Sequence, residues 1–95
     1  MSAYLIVDVE VTDAPAYEEY RKHAPALISS HGGKYLVRGG SAELLEGTTQ
    51  PNRTVVLEFP SMERLKAFYS SAGYAPLKQM RLNAARSRII AVEGV

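Results

Sequence analysis

The chain has 95 residues, 46% of them hydrophobic, with eleven basic and ten acidic side chains and a net charge of +1. Charge this evenly mixed is no footprint for nucleic acid or an anionic membrane, and the absence of cysteine excludes disulfides, thiolate chemistry and sulfur-ligated zinc. A chain of this length makes one domain with a modest core, so part of its apolar surface is expected to land on a second copy of itself.

No apolar run reaches the ~20 residues that cross a bilayer. Met1-Ser2-Ala3-Tyr4 lacks the charged and apolar regions of a signal peptide. A soluble, cytoplasmic protein with neither membrane nor nucleic-acid partner is the expectation.

Tyr4 to Val11 alternates, with Leu5, Val7, Val9 and Val11 on one face and Tyr4, Ile6, Asp8 and Glu10 on the other. That is a first strand. Thr12-Asp13-Ala14-Pro15 opens a helix, with Asp13 as N-cap and proline in the first turn. Glu18 and Glu19 are expected near its N-terminus, where the dipole favours negative charge. Tyr17, Tyr20, Ala24, Leu27 and Ile28 form its buried stripe. Pro25 removes one helical hydrogen bond and predicts a kink, and Gly32-Gly33 ends the helix.

Lys34 to Arg38 reads as the second strand, with Tyr35 and Val37 opposed to Leu36 and Arg38. Glycine within a strand marks a bulge, a bend or the close approach of another chain segment, so Gly39-Gly40 predicts a bend. Ala42 to Glu46 is expected to continue the strand as a curved arm, followed by a turn from Thr48 to Arg53. Thr54 to Phe59 is the most apolar strand, as expected of a central one. Ser61 caps a helix that buries Met62, Leu65, Phe68 and Tyr69. After a break over Ser70 to Gly73, a second helical piece from Ala75 to about Ala85 turns Leu77, Met80 and Ala84 inward. Arg88 to Glu93 is the last strand.

The order strand, helix, strand, strand, helix, strand is the split βαβ of a ferredoxin-like α+β fold. Right-handed crossovers put the first and third strands at the centre and both helical layers on one side of a four-stranded antiparallel sheet. The other side is left bare, with Ile6, Asp8, Arg38 and Glu58 on it, and water, a ligand or the second subunit of a homodimer must cover it.

The opening Tyr4-Leu5-Ile6-Val7-Asp8-Val9, Tyr17 to Tyr20, Gly32-Gly33, Arg38-Gly39-Gly40, Leu45-Glu46-Gly47, Glu58-Phe59-Pro60-Ser61 and the closing Val92-Glu93-Gly94 together resemble the family known as domain of unknown function 1330. The resemblance spans nearly the whole chain. It implies a dimeric α+β barrel, two ferredoxin-like subunits with their sheets packed together. That superfamily includes cofactor-free monooxygenases, muconolactone-type isomerases and haem-dependent relatives, and the family itself has no agreed activity. Fold alone does not settle function.

Three charges on one predicted face define the first candidate site. Arg38 suits a substrate carboxylate or enolate, and Asp8 or Glu58, desolvated, would serve as general base. The same three would equally form a structural ion network at a subunit interface. His23 is a candidate proton carrier beside Tyr20. Eight residues from His31, it sits about two turns away on the helix, so the pair cannot share a metal, and no cofactor is expected. Tyr20, Tyr35 and Tyr74 are candidates to line a small-molecule pocket, against the plainer role of core or interface aromatics. The third strand lacks the basic-glycine-aromatic pattern of RNA-binding sheets of this shape.

Two functions remain open. One is a cofactor-free enzyme of the monooxygenase or isomerase kind, acting on a small anionic or enolisable metabolite. The other is a non-catalytic dimeric binding module whose charges serve assembly.

Overall fold

A computed structural model describes residues 1–95. The elements run β1 (Ala3–Val11), α1 (Ala14–Ser30), β2 (Lys34–Gly40), β3 (Arg53–Phe59), α2 (Met62–Tyr69), α3 (Tyr74–Ala84) and β4 (Ala85–Glu93). All strand pairs are antiparallel, in the order β2-β3-β1-β4. This is the ferredoxin-like α+β fold, with β1 and β3 central as the right-handed connections require.

Alternation on β1 decides which side is covered. Ala3, Leu5, Val7 and Val9 are buried, and register sets them beside Phe59 and Leu57 of β3 in a core closed by Tyr17, Ala24 and Ile28 of α1 and Leu65 and Phe68 of α2. The opposite face carries no helix. There the register aligns Val37, Val56, Ile6 and Ile90 in one row across all four strands. Ile6, Val37 and Ile90 are each 36–39% exposed, an apolar stripe of the kind that marks an interaction surface.

Local signals place the helices. The Asp13 carboxylate accepts from the Ala16 N–H at 3.2 Å and Pro15 lies in the first turn of α1, while Ser61 accepts from the Arg64 N–H at 3.1 Å at the start of α2. At the end of α1, Gly32 takes a φ of +81° and the Gly33 N–H reaches back to the Ile28 carbonyl at 2.9 Å. That closes the last turn as a glycine-dependent C-cap does.

Three expectations are corrected, while helix α1 continues through Pro25. Glu18 and Glu19 lie beyond the first turn and pair instead with Arg21 at 2.7 Å and Lys22 at 3.1 Å. Residues 42 to 46 form no strand, so β2 stops at Gly40. The last strand begins at Ala85, three residues earlier than its composition suggested.

The fourth-strand extension is a matter of length; the break in β2 changes a face. The β2–β3 register shifts between Tyr35 and Val37 and again between Arg38 and Gly40. One extra residue in a strand flips everything after it. Leu36 is that residue, so Val37 opposes Val56 on the bare face and Arg38 opposes Val55 on the covered one.

Candidate functional site

Between α1, α3 and the sheet lies a cavity of about 40 Å³. Its lining is apolar apart from four arginines and the hydroxyls of its tyrosines, and it contains no acidic residue. Its polar groups arrive from four elements. Tyr20 and Arg21 come from α1, Tyr74 and Arg81 from α3, Tyr35 and Arg38 from β2, and Arg53 from the start of β3.

Arg38 reaches this site because of the Leu36 bulge. Its guanidinium lies 4.6 Å from the centre of the Tyr35 ring, a cation–π distance. Its Nη2 donates to the Arg21 carbonyl at 3.4 Å. That carbonyl is the one that residue 25 would occupy with its N–H, were it not proline. Pro25 therefore frees an acceptor on α1, and Arg38 takes it.

Arg53 stands over Tyr17, 5.9 Å from its ring centre, and its Nε is buried without a hydrogen-bond partner. Leaving a buried donor unmet is costly. The backbone opposite makes room for the group. Gly39 has a φ of +76°, and a Cβ built there would fall 2.5 Å from the Arg53 guanidinium carbon. Close approach, more than curvature alone, is why glycine stands at 39.

The helix side supplies a hydrogen-bonded chain. Arg81 is only 4% exposed; its Nε donates to the Tyr74 hydroxyl at 3.3 Å, and that hydroxyl lies 2.8 Å from the Tyr20 hydroxyl. Burial, reinforced by the Tyr74 hydroxyl, pushes the Tyr20 phenol far above its ordinary pKa, so it stays protonated. Burial raises Tyr35 as well, opposed by the charge of Arg38. For Arg81, burial works against the charge, yet the hydrogen bond it donates to the Tyr74 hydroxyl and the surrounding tyrosines hold its pKa above the usual value.

Asp8, Glu58 and His23 are not part of this cavity. Asp8 sits on the bare face, where its carboxylate accepts from the backbone N–H and side-chain amide of Asn52 at 2.9 and 3.1 Å, fastening the loop before β3. Glu58 shares that face but lies toward the other end of the strand. It accepts from the Tyr4 hydroxyl at 3.2 Å and pairs with Lys34 at 3.2 Å. The Lys34 hydrogen bond, helped by Tyr4, outweighs desolvation and lowers its pKa, the reverse of the shift a general base would need. The expected grouping of both with Arg38 is thus corrected, and the bulge is the reason. His23 is exposed on the outer side of α1, 3.6 Å from Glu19. His31 packs edge-on against Phe68 with Nδ1 3.0 Å from the Leu27 carbonyl. No three His, Asp or Glu side chains converge as a metal would require.

Tyr20, Tyr35, Tyr74 and Arg38, four of the expected binding residues, do come together. Arg53 and Arg81 were missed. A signal for Arg81 was present: with Tyr74, Leu77 and Ala84 it completes a stripe at three-to-four-residue spacing. Arg53 shares the alternation of Val55, Leu57 and Phe59, but sits where the sequence reads as a turn.

A family model described as Domain of unknown function (DUF1330) matches residues 2–95. The chain belongs to that family. No curated protein matches it. Among solved structures, it is similar to a protein of unknown function from Rhodopseudomonas palustris, with a TM-score of 0.80 and 19% identity over 99% of this chain and 82% of that one. It is similar also to SnoaB, a cofactor-independent oxygenase from Streptomyces nogalater, with a TM-score of 0.70 and 11% identity over 99% and 93% of the two chains. A dimeric ferredoxin-like protein of unknown function from Jannaschia sp. CCS1 aligns with a TM-score of 0.67 and 13% identity over 99% and 100%. At such identities the likeness is one of fold. No helix of this DUF1330 chain is long and apolar enough to cross a membrane.

Proposed function

We propose that this DUF1330 protein binds a compact anionic or enolisable metabolite in the arginine–tyrosine cavity, as a homodimer paired through its bare sheet faces. The observation that carries the reading is the buried, unpartnered Arg53 Nε in a cavity with arginines and no carboxylate. An anion would satisfy that donor and meet Arg38, whose planar fork suits carboxylates. Tyr20, Tyr35 and Tyr74 would supply the walls and further hydroxyls.

Donors aimed at an oxyanion are also what a cofactor-free enzyme needs to stabilise an enolate. SnoaB, described as a cofactor-independent oxygenase, lends that finer reading an analogy of fold. A non-catalytic binding module is favoured by a different observation. The cavity's polar groups are arginines and phenols, with Tyr20 and Tyr35 held protonated by burial, and it has no carboxylate or imidazole to take a proton near neutrality. A substrate would have to arrive as the anion. On either reading Asp8 and Glu58 serve the bare face and its assembly.

The test is thermal stabilisation by sodium acetate, with acetamide as the neutral control, since a ligand that binds only the native state raises its melting temperature. Acetate should stabilise the wild type, and Arg38→Ala should lose the effect while still sedimenting at about twice the 10.4 kDa chain mass. Equal responses to acetate and acetamide would reject the anion site. A 10.4 kDa species at micromolar concentration would reject the dimer.

A further inference from the structure

Cooperative polarisation favours one direction for the chain Arg81–Tyr74–Tyr20. An arginine side chain donates and never accepts, so the Tyr74 oxygen receives the Arg81 Nε–H at 3.3 Å. Tyr74 then has its own proton to hand on, and the neighbour 2.8 Å away is the Tyr20 oxygen. The Tyr20 proton is left without a partner along the chain. Tyr20 and Tyr74 both line the cavity, as do Arg38 and Arg53 from the sheet side. Hydrogen bonds in series polarise one another, so a cation at one end makes the terminal hydroxyl a better donor.

The cavity thus carries donors of two kinds on two walls, guanidinium from β2 and β3 and an oriented phenol from α1. About 40 Å³ holds roughly three water-sized groups. A carboxylate carbon and its two oxygens are three such groups, so only a compact head group is admitted.

We propose that the ligand head group is a 2-oxo carboxylate or its enolate, with the carboxylate on Arg38 and Arg53 and the adjacent oxygen on the Tyr20 hydroxyl. This deepens the anion reading and rests on it. A plain carboxylate would satisfy only the guanidinium wall. A 2-oxo acid offers an acceptor to each wall, and the enolate oxygen carries most of the charge to which an oriented hydroxyl responds most strongly. Tyr74 and Arg81 act as positioning residues, setting the direction of the Tyr20 proton without reaching the ligand oxygen themselves.

The experiment is calorimetric titration with pyruvate, with oxalate as the enolate mimic, and with acetate as the one-walled reference. One further hydrogen bond predicts that pyruvate, whose keto oxygen is a neutral acceptor, binds several-fold more tightly than acetate, and that oxalate, whose acceptor is charged, binds tighter by about tenfold or more. Tyr20→Phe should erase that preference and leave acetate affinity within about twofold. Tyr74→Phe should reduce it partly, because Tyr20 keeps its hydroxyl and loses its orientation. A general loosening of the fold would weaken acetate too, so the ratio of affinities separates positioning from structural damage. If acetate binds through Arg38 and pyruvate gains nothing, or if Tyr20→Phe leaves the preference intact, the 2-oxo assignment is overturned while the anion site stands. If none of the three anions binds, both fall.

Discussion

On the bare face of the sheet the carboxylates Asp8 and Glu58 are matched, and on the covered face Arg38 and Arg53 have no counter-charge. Glu58 has Lys34 and Tyr4, and Asp8 has the two nitrogens of Asn52. Across the sheet, Arg53 is left with an unmet donor, and Arg38 has found only a carbonyl and an aromatic ring. A polar group that is satisfied within its own chain is structural by default, whereas an unmet buried one is a reason to look for a ligand. The apolar content divides the other way. The covered face has buried its Leu, Val and Phe side chains in one core, while the bare face leaves Ile6, Val37 and Ile90 aligned and partly in water. One side lacks an anion, and the other lacks a hydrophobic partner.

The largest effect that would break this contrast comes from the floor of the covered side. Phe68 is 1% exposed and packs 4.6 Å from the Tyr74 ring and 5.4 Å from Phe59. Phe68→Ala is expected to cost about 3–5 kcal/mol in denaturant unfolding and to weaken anion binding through the displaced Tyr74. The same change should leave self-association untouched when measured well below the unfolding midpoint.

Ile6→Lys, in the middle of the bare stripe, is the converse. It brings two unpaired cations together in a paired assembly, and dimerisation should weaken about a hundredfold or more. The stability of the isolated subunit and its thermal response to acetate should hardly move. A variant that stays dimeric by sedimentation would show that the second copy sits elsewhere.

How much of this was legible in the residues follows from where side-chain alternation is regular. β1 and β3 alternate without interruption, so the covered face, the central position of both strands and the bare placement of Ile6, Asp8 and Glu58 could be read directly. β2 could not be read that way. Its bulge depends on Leu36 being squeezed out of register, and no local feature distinguishes Leu36 from a paired strand residue. Gly39 hinted at irregularity, but one position too late to move Arg38. The aromatic half of the cavity was visible as Tyr20, Tyr35 and Tyr74, because tyrosines at the edge of a core commonly send the hydroxyl toward a polar site. Of the arginines, Arg38 was named but set on the wrong face, and Arg53 and Arg81 were hidden by the habit of reading charge as exposed, which Arg81 contradicts.

Gly39→Ala tests the covered side more gently. The left-handed φ of +76° costs a residue with a Cβ about 1–2 kcal/mol, and the added methyl displaces the Arg53 guanidinium. Acetate binding should fall with stability, whereas Gly40→Ala, whose Cβ would meet nothing nearer than 4.0 Å, should leave acetate affinity in place.

The smallest effect concerns the satisfied charges. Glu58 has its pKa lowered in the folded chain, first by Lys34. Its stabilisation is therefore complete above the ordinary carboxylate pKa and is lost as pH falls through the lower folded value. Lys34→Ala should move the Glu58 titration, followed by carboxyl NMR, back toward the ordinary value. It should also flatten that part of the acid limb of stability without altering anion binding.

Arginine Nε–H resonances followed during an acetate titration address the contrast most directly. The account predicts that Arg53 and Arg38 shift together and saturate while Arg88, on the bare face, stays still. Saturating shifts at Arg88 with Arg53 unmoved would place the anion on the wrong side of the sheet and contradict it.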